Sequence, residues 1–128
     1  MWSPSYDPLL DVAPVTCLIV DDSAPFLEVA SSLLERHGLQ VVGTARSSSE
    51  ALSGAAELWP DVVLVDIDLG GESGFELTRQ LARSGHSSVI LISAHAEQDF
   101  ADLIDASPAL GFIPKPELSA RAVYDLLG

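Results

Sequence analysis

The sequence predicts an α/β fold, a doubly wound sheet of five parallel strands with helices on both faces. Three observations predict it. From Val15 onward, five short apolar runs alternate with five segments of helical period, the pattern of repeated βα units. The run Val62-Val63-Leu64-Val65 is apolar without alternation, as a parallel strand covered on both faces must be. The runs also end on chemically distinctive residues: Asp21-Asp22, Asp66, Ser93 and, just past the last run, Lys115. Open parallel sheets hold their ligands beyond these carboxyl ends.

The elements follow in order. Strand 1 is predicted over 15–21 and helix 1 over 24–37, with Ser23 or Asp22 as N-cap, Pro25 in the first turn and Gly38 as the stop. Phe26, Ala30, Leu33 and Leu34 form its expected buried face. Strand 2 covers 39–44 and helix 2 covers 48–58, with Ala51, Leu52, Ala55 and Leu58 turned inward. Pro60 separates helix 2 from strand 3 at Asp61–Asp66. Helix 3 is expected over 74–83, strand 4 over Ser88–Ser93, helix 4 over 96–106, strand 5 over Leu110–Ile113, and helix 5 over 120–127 after a Ser119 cap. Parallel neighbours joined this way require right-handed crossovers.

The 128 residues suit one domain, read as an extended arm over 1–14 and a folded body over 15–128. The arm carries Pro4, Pro8 and Pro14 and no usable periodicity. Its Trp2, Tyr6, Leu9 and Leu10 can lie on the domain or on a partner, and composition favours a disordered end. No run approaches membrane-spanning length, and no basic residue precedes apolar positions at the start, so neither an anchor nor a signal peptide is expected. A single Cys17 in an apolar run reads as a small buried hydrophobe in a reducing compartment. With 19 acidic against 6 basic side chains, the formal charge is -13. Such a surface repels phosphate backbones, so direct nucleic-acid binding is not expected.

In a parallel sheet the strand ends share one rim, which places Asp21, Asp22, Asp66, Ser93 and Lys115 around one pocket. Each alone reads as a cap, turn or exposed residue; the conjunction does not, because crowded carboxylates cost energy unless paired or metal-bound. An all-oxygen set favours a hard cation such as Mg²⁺. Asp22 and Asp66 are the expected direct ligands, with Asp21 acting partly through water. Lys115 supplies a fixed positive charge suited to a transferred phosphoryl group.

The segments Leu18-Ile19-Val20-Asp21-Asp22, Pro60-Asp61-Val62-Val63-Leu64-Val65-Asp66, Gly71…Gly74-Phe75-Glu76, Ser93-Ala94 and Gly111-Phe112-Ile113-Pro114-Lys115-Pro116 resemble those of bacterial two-component response regulator receiver domains, over about 15–128. The resemblance implies a flavodoxin-like (βα)5 fold with strand order 2-1-3-4-5. It implies that Asp66 accepts a phosphoryl group from a histidine kinase or phosphotransfer protein. Asp21 and Asp22 become the acidic pair holding Mg²⁺ (or Mn²⁺), with the backbone carbonyl of Asp68 as a further ligand. Ser93 and Lys115 become the groups that bind the phosphoryl oxygens, and Phe112 the aromatic that turns inward on activation. The family's Lys115-Pro116 bond is usually cis. Cytoplasmic location, no enzymatic turnover and an output face on helix 4, strand 5 and helix 5 also follow. That face would act on an output protein or an appended output domain, and it carries Glu97, Asp99, Asp102 and Asp105 against Arg121. Homodimer formation across it would need counter-charges from elsewhere.

Four positions depart from the family. Gly70 replaces a usual proline and predicts a looser loop; Asp68 adds a carboxylate beyond the acceptor; Pro108 should end helix 4 early; Glu117 stands where an aromatic is common. Asp68 and His95 are expected modulators of the site, whereas His37 and His86 read as ordinary loop or helix-end residues, and the three histidines do not form a metal-ligand set. Gly71 and Gly74 do not make a phosphate-binding loop, because the lysine of that motif is missing. Two rivals remain: a phosphorylation-independent interaction module, opposed by the intact Asp, Ser and Lys set, and a small Mg²⁺-dependent phosphatase, which would need a cap to exclude water. A helix 5 ending in Leu126-Leu127-Gly128 with no linker suits a complete single-domain regulator slightly better than the receiver part of a longer chain.

Overall fold

The computed structural model describes residues 14–128, and the arm expected over 1–14 lies outside them apart from Pro14. The elements are β1 (Thr16–Val20), α1 (Ala24–Arg36), β2 (Gln40–Ala45), α2 (Ser48–Leu58), β3 (Val62–Asp66), α3 (Gly74–Ser84), β4 (Ser88–Ser93), α4 (Ala101–Asp105), β5 (Gly111–Pro114) and α5 (Ala120–Leu127). All neighbouring strands are parallel, in the order β2-β1-β3-β4-β5. This is the expected doubly wound arrangement.

Strand alternation divides the core. Cys17, Ile19, Val62, Leu64, Ile90 and Ile92 point to one face, where Leu27, Ala30 and Leu34 of α1 and Val123 of α5 cover them. Leu18, Val20, Val63, Val65, Val89 and Leu91 point to the other, against Ala51 and Ala55 of α2 and Leu77 and Leu81 of α3. Burial of this apolar surface is the main stabilising term. Cys17 is wholly buried, and desolvation pushes its thiol pKa up to about 12. Four helices start on a serine whose Oγ accepts from a first-turn amide: Ser23 from Phe26, Ser47 from Glu50, Ser73 from Glu76 and Ser119 from Ala122. Each such cap contributes about 1 kcal/mol.

Several expectations need correction. The buried face of α1 runs through Leu27 rather than Phe26 and Leu33, which are half-buried. Leu58 is 42% exposed, because β2 is an edge strand and the side chain only partly overhangs it at Gly43. The expected helix 4 is split into a 3₁₀ turn at Glu97–Asp99 and a short α4. Phe100, at φ -130°, breaks the two apart, and no side chain caps either. Closely spaced Glu97, Asp99, Asp102 and Asp105 oppose a longer helix, and Pro108 stops its continuation. All peptide bonds among the described residues are trans, Lys115-Pro116 included; a 3₁₀ turn over Lys115–Glu117 carries the lysine. No helix among the described residues is long and apolar enough to cross a membrane.

At the amino edge of the sheet, Trp59 takes a left-handed conformation (φ 49°) after α2 and stacks on His86, with ring centroids 3.7 Å apart. Asp61 ties that edge to β1, its Oδ2 accepting from Thr16 N and Oγ1.

Candidate functional site

The opposite edge of the sheet carries the chemistry. Asp21 follows β1 and is fully buried; its Oδ1 accepts from the Ser23 amide at 2.9 Å. Asp66 closes β3 and is 6% exposed, its Oδ1 accepting from the Asp68 amide at 3.0 Å. Asp22 is exposed. One oxygen from each of Asp21, Asp22 and Asp66 lies within 4.8 Å of the others, so the three predicted carboxylates do converge.

Lys115 enters from beyond β5. Its Nζ stands 2.6 Å from Asp21 Oδ2 and 2.9 Å from Asp66 Oδ2, and 4.3 Å from the centre of the Phe26 ring. Apart from this ion-pair contact, Asp21 Oδ2 has no hydrogen-bond partner although it is buried. Burial raises the Asp66 pKa to about 6; the Asp68 amide and Lys115 pull it down, and neighbouring Asp21 pushes it up further. Burial works against the Lys115 charge, but Asp21 and Asp66 outweigh it and hold the ammonium pKa above its ordinary value.

The other predicted residues take distinct places. Ser93 ends β4, 2% exposed, one step past the register partner of Asp66, and its Oγ accepts from the His95 amide at 3.0 Å. His95 is exposed and meets the edge of Phe100, with centroids 6.0 Å apart. Phe112 is half-buried on β5 and packs against the core face shared by α2 and α3. The Asp68 carboxylate is absent from the converging set; its Oδ1 instead accepts from the Gly70 amide at 3.2 Å.

Gly70 and Gly71 both have positive φ (64° and 104°) and turn the chain between Asp68 and Ser73, which form an antiparallel bridge. A proline, locked near φ -65°, fits neither this conformation nor the amide donated to Asp68. The departure at Gly70 therefore reshapes the loop into a bonded turn rather than loosening it. A Cβ on Gly70 would stand 2.7 Å from Asp22 Oδ2, and one on Gly74 would stand 2.1 Å from the Asp66 carbonyl. Both glycines allow the acceptor loop to approach the acidic cluster closely.

The sequence reading missed Phe26 as the aromatic beneath Lys115, and Arg46 and Glu72 as loop residues bonded around the site. Phe26 was legible only as a core position. Arg46 and Glu72 act across 24 residues of chain, and nothing in their spacing signals it.

Residues 17–125 match the family model of the response regulator receiver domain. The chain belongs to that family. Among solved structures, this receiver superimposes on the signal receiver domain of the putative response regulator NarL from Mycobacterium tuberculosis with a TM-score of 0.80 and 28% identity, covering 91% of this chain and 99% of that one. It superimposes on the response regulator domain of Thermotoga maritima CheB with a TM-score of 0.72 and 29% identity, covering 89% and 90%. Curated relatives include protein-glutamate methylesterase/protein-glutamine glutaminase 5 of Myxococcus xanthus, 36% identical over 121 residues, and its counterpart 2 of Koribacter versatilis, 33% identical over 107 residues. The receiver spans about a third of their length, 35% and 30% respectively.

Proposed function

We propose that this receiver takes a phosphoryl group onto Asp66 from a phosphohistidine on a histidine kinase or phosphotransfer protein. The observation that carries this reading is the setting of Asp66, a strand-end carboxylate between one ammonium at 2.9 Å and two further carboxylates within 4.8 Å. An Asp66 oxygen attacks phosphorus, the P–N bond to imidazole breaks, and the imidazole leaves with a proton from solvent. The product is an acyl phosphate, which water can later cleave to free phosphate and the original carboxylate. The chain supplies alignment and charge compensation rather than turnover. Lys115 stays ionised beside the acceptor and follows the negative charge from carboxylate to phosphoryl oxygens.

A divalent cation fits the residues present. Three carboxylates face one ammonium, so the cluster carries more negative charge than Lys115 alone compensates. Asp22, Asp66 and the Asp68 carbonyl would hold the ion, with Asp21 acting partly through water; the oxygen-only set suits Mg²⁺ and also accommodates Mn²⁺. When bound, the ion supplies charge neutralisation for the incoming phosphoryl group. Ser93 would bond a phosphoryl oxygen by giving up its contact with the His95 amide, and Phe112 on the adjacent strand would follow. This shift would alter the face formed by α4, β5 and α5, and through it an output protein or an appended domain.

Incubation with acetyl phosphate and Mg²⁺ tests the assignment by intact mass. The wild-type chain should gain one phosphoryl group and Asp66→Asn none. Labelling that persists in the variant would refute it.

A further inference from the structure

Arg46 and Glu72, outside the carboxylate cluster, are bonded so as to set the spacing between Asp22 and the loop after Asp66. Arg46 follows β2, and its Nε and Nη2 donate to the backbone carbonyl of Asp22 at 3.2 and 3.0 Å. Its own amide donates to Glu50 Oε1 in the first turn of α2 at 3.0 Å. Glu72 reaches the same helix end, its Oε1 accepting at 2.9 Å from the Ser48 amide, one of the first-turn donors that no helix satisfies internally. The Glu72 carbonyl accepts from Leu69 N at 3.0 Å and closes the Gly70-Gly71 turn.

The amino end of α2 is thus tied to the main chain of Asp22 on one side and to the acceptor loop on the other. The Asp22 carboxylate lies between the two ties, within 2.7 Å of where a Cβ on Gly70 would stand. Asp22 is exposed, and its two carboxylate neighbours repel it. The sheet fixes Asp21 and Asp66 through buried strands, but Asp22 and the turn need another restraint. The chain of hydrogen bonds from the Asp22 carbonyl through Arg46, the amino end of α2 and Glu72 to the turn provides one.

We propose that Arg46 and Glu72 are positioning residues for the divalent-cation site, holding Asp22 and the turn after Asp66 at ligand spacing before the ion arrives. The proposal rests on the phosphoacceptor reading above. Charge alone predicts the opposite pattern. Loss of the Arg46 cation should then tighten Mg²⁺ binding, and Glu72 should matter only through its charge. Positioning predicts that Arg46→Ala weakens Mg²⁺ binding despite removing a positive charge. It also predicts that Glu72→Gln, which keeps an oxygen for the Ser48 amide, preserves binding. Glu72→Asp keeps the charge but is one methylene too short, and should lose it.

The experiment is a calorimetric titration of the full chain with MgCl₂ for wild type and the three variants. It is paired with amide exchange of Ser48 and Leu69 in EDTA, a readout that needs no metal. Arg46→Ala and Glu72→Asp should each bind about tenfold more weakly, the scale on which ligand-orienting partners act, with Glu72→Gln within about twofold of wild type. Faster exchange at Ser48 and Leu69 should accompany Glu72→Asp but not Glu72→Gln. A wild type that binds Mg²⁺ while Arg46→Ala binds as tightly or tighter, or while Glu72→Gln is the weaker Glu72 variant, overturns the positioning role and leaves the phosphoacceptor reading standing. A wild type that binds no Mg²⁺ overturns both.

Discussion

Replacing Asp66 with asparagine should stabilise the metal-free protein, and by an amount that depends on pH. In the folded chain burial lifts the Asp66 carboxyl from 3.8 to about 6. A folded-state pKa above the unfolded one means that folding favours the protonated acid. The group's contribution to stability is therefore fully present below pH 4 and is lost as pH rises through about 6. Each pH unit between the two values is worth about 1.4 kcal/mol, so the ionised site costs about 3 kcal/mol at pH 8. Asparagine resembles the protonated acid and avoids this cost. Urea unfolding of both proteins in EDTA should give equal stabilities at pH 4 and a gap of about 3 kcal/mol in favour of Asp66→Asn at pH 8. For a domain of this size that gap corresponds to a midpoint rise of about 10 °C. Millimolar Mg²⁺ should narrow it, because an ion bound to the folded wild type stabilises it by mass action. A wild type as stable as the variant at pH 8 without metal would refute the reasoning, since burial of the ionised Asp66 would then carry no energetic cost.

Two further outcomes follow from the same geometry. Lys115→Ala removes the cation from between Asp21 and Asp66 and should cost about 3 kcal/mol at neutral pH in EDTA, with part of the loss restored by Mg²⁺; paired urea curves with and without the ion measure it. Gly74→Ala would place a methyl 2.1 Å from the Asp66 carbonyl, so the start of α3 must shift. A loss of about 3 kcal/mol or more is expected, together with weaker Mg²⁺ binding by titration.

The strands were legible because a parallel sheet covered on both faces leaves runs such as Val62–Val65 with no polar position. The acidic, serine and lysine residues of the site were legible because chain topology alone brings strand ends to one rim. What the sequence did not show depends on local competition or on long-range pairing. One residue separates Phe26 from Leu27 as the inward position of α1, and periodicity after Pro25 does not fix the helix phase that finely. Helical spacing through Asp99, Asp102 and Asp105 suggested a full helix, but like charges and Pro108 leave only Ala101–Asp105. Gly70 read as slack, yet two positive φ angles and an amide bonded to Asp68 make it an ordered turn. Arg46 and Glu72 were invisible because each bonds main chain far away in sequence, Arg46 the Asp22 carbonyl and Glu72 the first amide of α2.

The Trp59–His86 stack lies at the amino edge of the sheet, with the carboxylate rim at the other. Among the described residues Trp59 is the only tryptophan, and 61% of it is exposed. In a Trp2→Phe background its emission reports on whether the α2–β3 corner is folded, at the strand ends opposite those that carry the carboxylates. Unfolding can be followed through this indole in the presence of Mg²⁺ or a phosphodonor without the additive acting on the probe itself. With Trp59 as the sole indole, folding is read at one end of the strands while the chemistry takes place at the other.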